Sequence, residues 1–157
     1  MSDISRRTAV RYLAATAAAV SLWPSRLRAE PRTPIAVYKD PSCGCCHNWV
    51  DHLSASGFAP AVTDTPDMPA IKTKYKVTSR LQSCHTAVVG GYVIEGHVPA
   101  EDIRNLLAAK PKGIIGLTIP GMPQSAPGMD TKPFQPYTVL SFDDKGNTAI
   151  FAKHTAA

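Results

Sequence analysis

The sequence predicts an α/β domain with the element order β-α-β-α-β-β-α, extended by a Pro/Gly/Met-rich loop and a β-hairpin. Three observations lead there. Short β-prone runs alternate with helical periodicity over residues 35 to 109. Gly90-Gly91 separates two apolar runs. After Lys110 the composition turns abruptly to proline and glycine.

The elements follow in order. "IAVY", 35 to 38, is a compact β-prone run ending at the turn signal "KDPS". From Cys45 to Ser56 the pattern is helical: Cys46, Val50 and Leu53 recur on one face, Trp49 widens it, and Gly57 stops it. "FAPAVTD", 58 to 64, returns to strand, with Pro60 marking an edge or a bend. "MPAIKTKY", 68 to 75, is a short helix capped by Asp67. Thr86–Val89 and Tyr92–Glu95 flank the two glycines as a hairpin. Pro99 opens a third helix to Ala109, with Ile103, Leu106 and Leu107 facing inward. Parallel strands joined by helices, closed by a hairpin and a helix, are the thioredoxin-like arrangement. Residues 30 to 110 make up this unit. Residues 111 to 157 read as a loop wrapping the same domain, then strands at Tyr137–Phe142 and Thr148–Ala152 about a turn. "PGM" occurs twice in that loop, at 120 to 122 and 127 to 129.

Residues 1 to 29 read as an address. Ser5-Arg6-Arg7-Thr8 supplies a twin arginine, Tyr12 to Trp23 is an apolar run, and Ala29 offers a small residue for cleavage. A run of twelve residues falls well short of the ~20 that span a bilayer. A twin-arginine signal and a periplasmic mature protein are expected, with no stable membrane association after cleavage. The segment holds five of the 17 basic residues and one of the 12 acidic ones. The net charge of +5 therefore falls to +1 over the remaining 128 residues. That balance leaves no basic patch for nucleic acid.

Chemistry concentrates in the cysteines. Cys43, Cys45 and Cys46 lie within four positions, and the fourth, Cys84, precedes His85. Exported cysteines pair readily, but loops closed by neighbouring residues remove little unfolded-state entropy, so crowding argues for chemistry over stapling. In the predicted topology Cys43 and Cys46 sit where the first strand feeds the first helix. A helix N-terminus favours thiolate, which serves as redox nucleophile or as soft metal ligand. Ser83-Cys84-His85-Thr86 occupies the loop before the third strand, which abuts that junction. Four converging sulfurs suit a soft metal, or a relay that passes a disulfide from one pair to the other.

At these residues the chain resembles the CopG-like proteins, a metal-binding, thioredoxin-like family linked to copper resistance in bacteria. The resemblance rests on "CGCC" at 43 to 46, "SCHTAVV" at 83 to 89, "EGHVPAEDI" at 95 to 103 and "GLTIPGMPQSAPGMD" at 116 to 130. It implies a periplasmic protein binding copper through the Cys-x-Cys-Cys motif and the extra cysteine. It also implies a role in cycling Cu(I) and Cu(II), or in coupling thiols to copper.

Residue chemistry agrees on the metal, since thiolates and thioethers select Cu(I). The expected ligands are Cys43, Cys45, Cys46 and Cys84, with His85, His97, Met122 and Met129 as further candidates. Methionine also fills gaps under a wrapping loop, and histidine hydrogen-bonds ordinarily, so both uses stand for these four. His47 is a weaker candidate, His52 is expected on the solvent face of the first helix, and His154 in a frayed tail. Expected partners are copper ions and other periplasmic copper-handling or thiol-redox proteins. One competing reading is a thiol-disulfide oxidoreductase working through Cys43 and Cys46. Another is a structural zinc site, for which three ligands inside four residues are cramped.

Overall fold

The computed structural model describes residues 31–155, so the expected signal segment lies outside the described residues. The elements are β1 (Thr33–Lys39), α1 (Gly44–Ala55), β2 (Phe58–Asp64), α2 (Met68–Lys74), a 3-10 turn (Ser79–Leu81), β3 (Thr86–Val89), β4 (Tyr92–Glu95), α3 (Ala100–Ala109), β5 (Gly116–Thr118), β6 (Tyr137–Phe142) and β7 (Thr148–His154). Up to α3 the order is the one read from sequence. All seven strands form one mixed sheet in the order β2-β1-β3-β4-β5-β6-β7.

Alternation along β1 shows how the sheet meets the core. Ile35 and Val37 point inward and are buried. The same period of two brings Lys39 inward as well, and its ammonium is fully buried against Asp64 at 2.6 Å. The two residues are register partners across the parallel β1–β2 pair. Below the sheet, α1 buries Cys46, Trp49 and Leu53, and α3 buries Ile103 and Leu106 in the same cluster as Ile35, Val37, Ile94 and Leu117. The Trp49 indole N–H donates to the Val98 carbonyl at 2.9 Å, which locks α1 to the segment entering α3.

The largest departure lies after α3. Sequence reading predicts an unpaired loop there, but Gly116–Thr118 pairs parallel with β4 and antiparallel with β6. The hairpin β6–β7 thus continues the sheet instead of standing apart. Gly116 permits this: a Cβ there would meet the Val93 carbonyl oxygen at 2.1 Å and the Phe142 ring at 2.8 Å. β7 also runs past the expected Ala152 to His154. That end is no frayed tail, because His154 Nε2 bonds the buried Asp102 carboxylate of α3 at 2.8 Å and stacks on Tyr137.

Candidate metal centre

Between β1 and α1 the chain turns through Asp40-Pro41-Ser42. Asp40 Oδ1 accepts the Ser42 N–H at 2.8 Å, and the Asp40 carbonyl accepts the Cys43 N–H at 3.1 Å. This local turn delivers Cys43 to the N-cap of α1, where its side chain makes no capping bond. One helical turn on, Cys46 faces the core, and the two are joined as a disulfide with Cα atoms 5.4 Å apart. Cys45 is a free thiol with Sγ 3.7 Å from Cys43 Sγ. Cys84, also free, arrives from the loop before β3.

All four sulfurs lie within 4.8 Å of one another. The expected convergence is therefore present, and the group so gathered is sulfur alone. Burial, and then the neighbouring Cys45, push the Cys84 thiol up to about 11. Cys84 is thus a protonated thiol at neutral pH, so a metal taking it as ligand displaces a proton.

The histidines divide. His47 is exposed, with Nδ1 3.4 Å from the Cys43 carbonyl oxygen. His52 is not on the solvent face as expected. It is half-buried, and its Nε2 accepts the Ala100 N–H at 3.2 Å at the start of α3. His85 and His97 are buried edge to face with ring centroids 4.9 Å apart, and the Trp49 ring lies 4.3 Å from His85. His97 Nδ1 pairs with the Pro127 carbonyl at 2.8 Å. Its Nε2 and both nitrogens of His85 have no hydrogen-bond partner among the described residues. Leaving buried nitrogens of this kind unpaired is costly, and a polar partner or a metal ion would satisfy them. Burial holds both imidazoles below their ordinary value, His85 most strongly.

The repeated "PGM" acquires a position from backbone contacts. At the first repeat the Gly121 N–H donates to the Gln82 carbonyl, and the Ser83 hydroxyl donates to the Gly121 carbonyl. Met122 is thereby held beside the Cys84 loop, its side chain 54% exposed. At the second, Asn48 Nδ2 donates to the Gly128 carbonyl at 3.1 Å, seating half-buried Met129 near the first turns of α1. One loop therefore touches both cysteine-bearing segments. Sequence reading missed a buried polar group beside them, formed by Lys72, Thr86 and Glu95. Its one visible signal is a carboxylate ending the apolar run "YVIE".

Known proteins resemble this chain in sequence and fold. A family model described as a protein of unknown function, DUF411, matches residues 81–129. A solved structure of the copper resistance protein CopG, in a first form, is 36% identical over 78% of this chain and 98% of its own, with a TM-score of 0.73. A second form of CopG is 37% identical over 79% of this chain and 99% of its own, with a TM-score of 0.74. This chain belongs to the CopG family of copper resistance proteins. No curated protein sequence matches it. Of the CopG-like stretches picked out in the sequence, two carry the four clustered cysteines and one carries the loop that joins them.

Proposed function

We propose that this protein is a periplasmic copper handler that holds Cu(I) on Cys43, Cys45, Cys46 and Cys84. The observation that carries this reading is four sulfur ligands within 4.8 Å, brought from segments about forty residues apart. An all-sulfur donor set suits soft Cu(I). The disulfide adds a condition: full ligation requires two electrons and two protons to open Cys43–Cys46, so loading follows reduction. The unpartnered nitrogens of His85 and His97 and the thioethers of Met122 and Met129 are further donors in this reading. The fold that supports it is thioredoxin-like, with strands ordered β2-β1-β3-β4, a helical crossover between β1 and β2, and the reactive pair at the start of α1. Copper sensitivity of cells lacking the protein tests it. The parent gene should restore growth and a variant with all four cysteines changed to Ser should not; equal rescue would refute the site.

The disulfide itself favours a second reading, a thiol-disulfide oxidoreductase. A partner dithiol would reduce Cys43–Cys46, becoming a disulfide as the pair takes two electrons and two protons. Two Cu(I) oxidised to two Cu(II) would supply the same two electrons, one from each ion. For localisation, the twin arginine supports export of the folded chain. Replacing Arg6 and Arg7 by Lys should strand precursor in the cytoplasm, and undiminished mature protein in the periplasm would refute it.

A further inference from the structure

Glu95 ends β4 with its side chain fully buried, where a carboxylate survives only if its oxygens are engaged. They are. Oε1 accepts the backbone N–H of Ser83 at 2.7 Å and also the ammonium of Lys72. Oε2 accepts the Thr86 hydroxyl at 2.7 Å, and Lys72 Nζ reaches the same hydroxyl oxygen at 3.3 Å. Three side chains from α2, β3 and β4 thus close a small ring. The next residue, Gly96, donates its N–H to the His85 carbonyl at 2.9 Å.

What this ring holds is a loop. Ser83 precedes Cys84 by one position and Thr86 follows it by two, and both are bonded to one carboxylate. A buried ion pair is a poor source of net stability, since apolar residues of the same volume often do as well or better. What it supplies is direction: a charge-assisted acceptor that fixes a backbone N–H at a chosen place. We propose that Glu95, backed by Lys72, is a positioning residue for Cys84, clamping residues 83 to 86 so that the thiol meets the three sulfurs of residues 43 to 46. The proposal rests on the four-sulfur reading for its purpose, but its geometry is testable without copper.

Two double variants differ in whether position 95 can accept a hydrogen bond from residues 83 to 86, at the Ser83 N–H or the Thr86 hydroxyl. Lys72→Met/Glu95→Gln removes both charges and keeps an amide oxygen; Lys72→Met/Glu95→Leu removes the acceptor too. The readout is the rate at which iodoacetamide alkylates Cys84 in reduced, copper-free protein, followed by mass spectrometry with Cys45 as the internal reference. The Gln double should alkylate at the parental rate. The Leu double should alkylate Cys84 faster by about tenfold and bind Cu(I) more weakly by a similar factor, the size of one lost buried hydrogen bond. Equal Cys84 rates in the two doubles would overturn the proposal. If the Leu double does not fold, Thr86→Val, which removes the hydroxyl's bonds to Glu95 and Lys72 and leaves the ion pair in place, decides instead: faster alkylation supports the clamp and a parental rate overturns it. Should Cys84→Ser leave copper binding unchanged while the Leu double still loosens Cys84, the four-sulfur reading fails and the positioning stands.

Discussion

Gly128 approaches the backbone of Trp49 so closely that a Cβ at position 128 would stand 2.7 Å from the Trp49 nitrogen and 3.1 Å from the Cys45 carbonyl oxygen. Its φ of +86 lies in the left-handed region, which glycine occupies freely and residues with a Cβ rarely adopt. The methionine loop is therefore docked on the first turn of α1 through a residue that admits no side chain.

Gly128→Ala should lift that loop. The left-handed backbone and the contact together are expected to cost about 1–3 kcal/mol, read as a lower urea midpoint. Cu(I) affinity, measured by competition with a chromophoric chelator, should fall as well. Parental values of both would show that the docking carries nothing.

Met122→Leu combined with Met129→Leu separates ligation from gap-filling. Leucine keeps the volume, at a packing cost generally under about 1.5 kcal/mol, and Met122 is 54% exposed, so folding should survive. Weaker Cu(I) binding is expected, especially at mildly acidic pH, because a thioether does not compete with protons. An unchanged affinity and an unchanged X-ray absorption spectrum would return both residues to a packing role.

Cys45→Ser should harm copper binding more than reduction of a model disulfide. The variant keeps the Cys43–Cys46 pair but loses the sulfur that sits 3.7 Å from Cys43. Copper binding equal to that of the parent would remove Cys45 from the ligand set.

Acid should destabilise the copper-free protein. Burial holds His85 well below the ordinary 6.5, with His97, Lys72 and Lys39 adding to the effect, and burial lowers His97 and His52 too. As pH falls through that value the unfolded chain takes up protons that the folded chain refuses, so stability is full above it and declines below. The urea midpoint should drop between about pH 7 and about pH 5. His85→Phe, which keeps a ring against Trp49 and His97, should flatten the drop. A midpoint independent of pH, or the parental slope in His85→Phe, would contradict this.

Much of this molecule is legible where local signals are strong. β2, β3, β4 and β6 begin and end at the residues read from sequence, because Gly57, Gly90-Gly91 and Pro136 punctuate them. β5 is not legible: three residues starting with glycine have no periodicity, and their strand character comes from pairing with β4 and β6. The same holds for polar groups whose partners are remote. Nothing local marks His154 as the partner of Asp102, 52 positions away, or Glu95 as the acceptor for the Cys84 loop. The sulfur site stands out because cysteine clusters announce their chemistry by residue type, and the sheet order then supplies the convergence.

If copper sits on all four sulfurs, anaerobic Cu(I) titration of the reduced mature protein should depend on each of them. Copper-edge X-ray absorption of the loaded protein, for the parent and for Cys84→Ser, supplies the ligand count. Sulfur should dominate the copper shell in the parent, and Cys84→Ser should lose both affinity and part of that shell. A Cys84→Ser protein with parental affinity and a parental spectrum would remove Cys84 from the copper site and leave no four-sulfur centre.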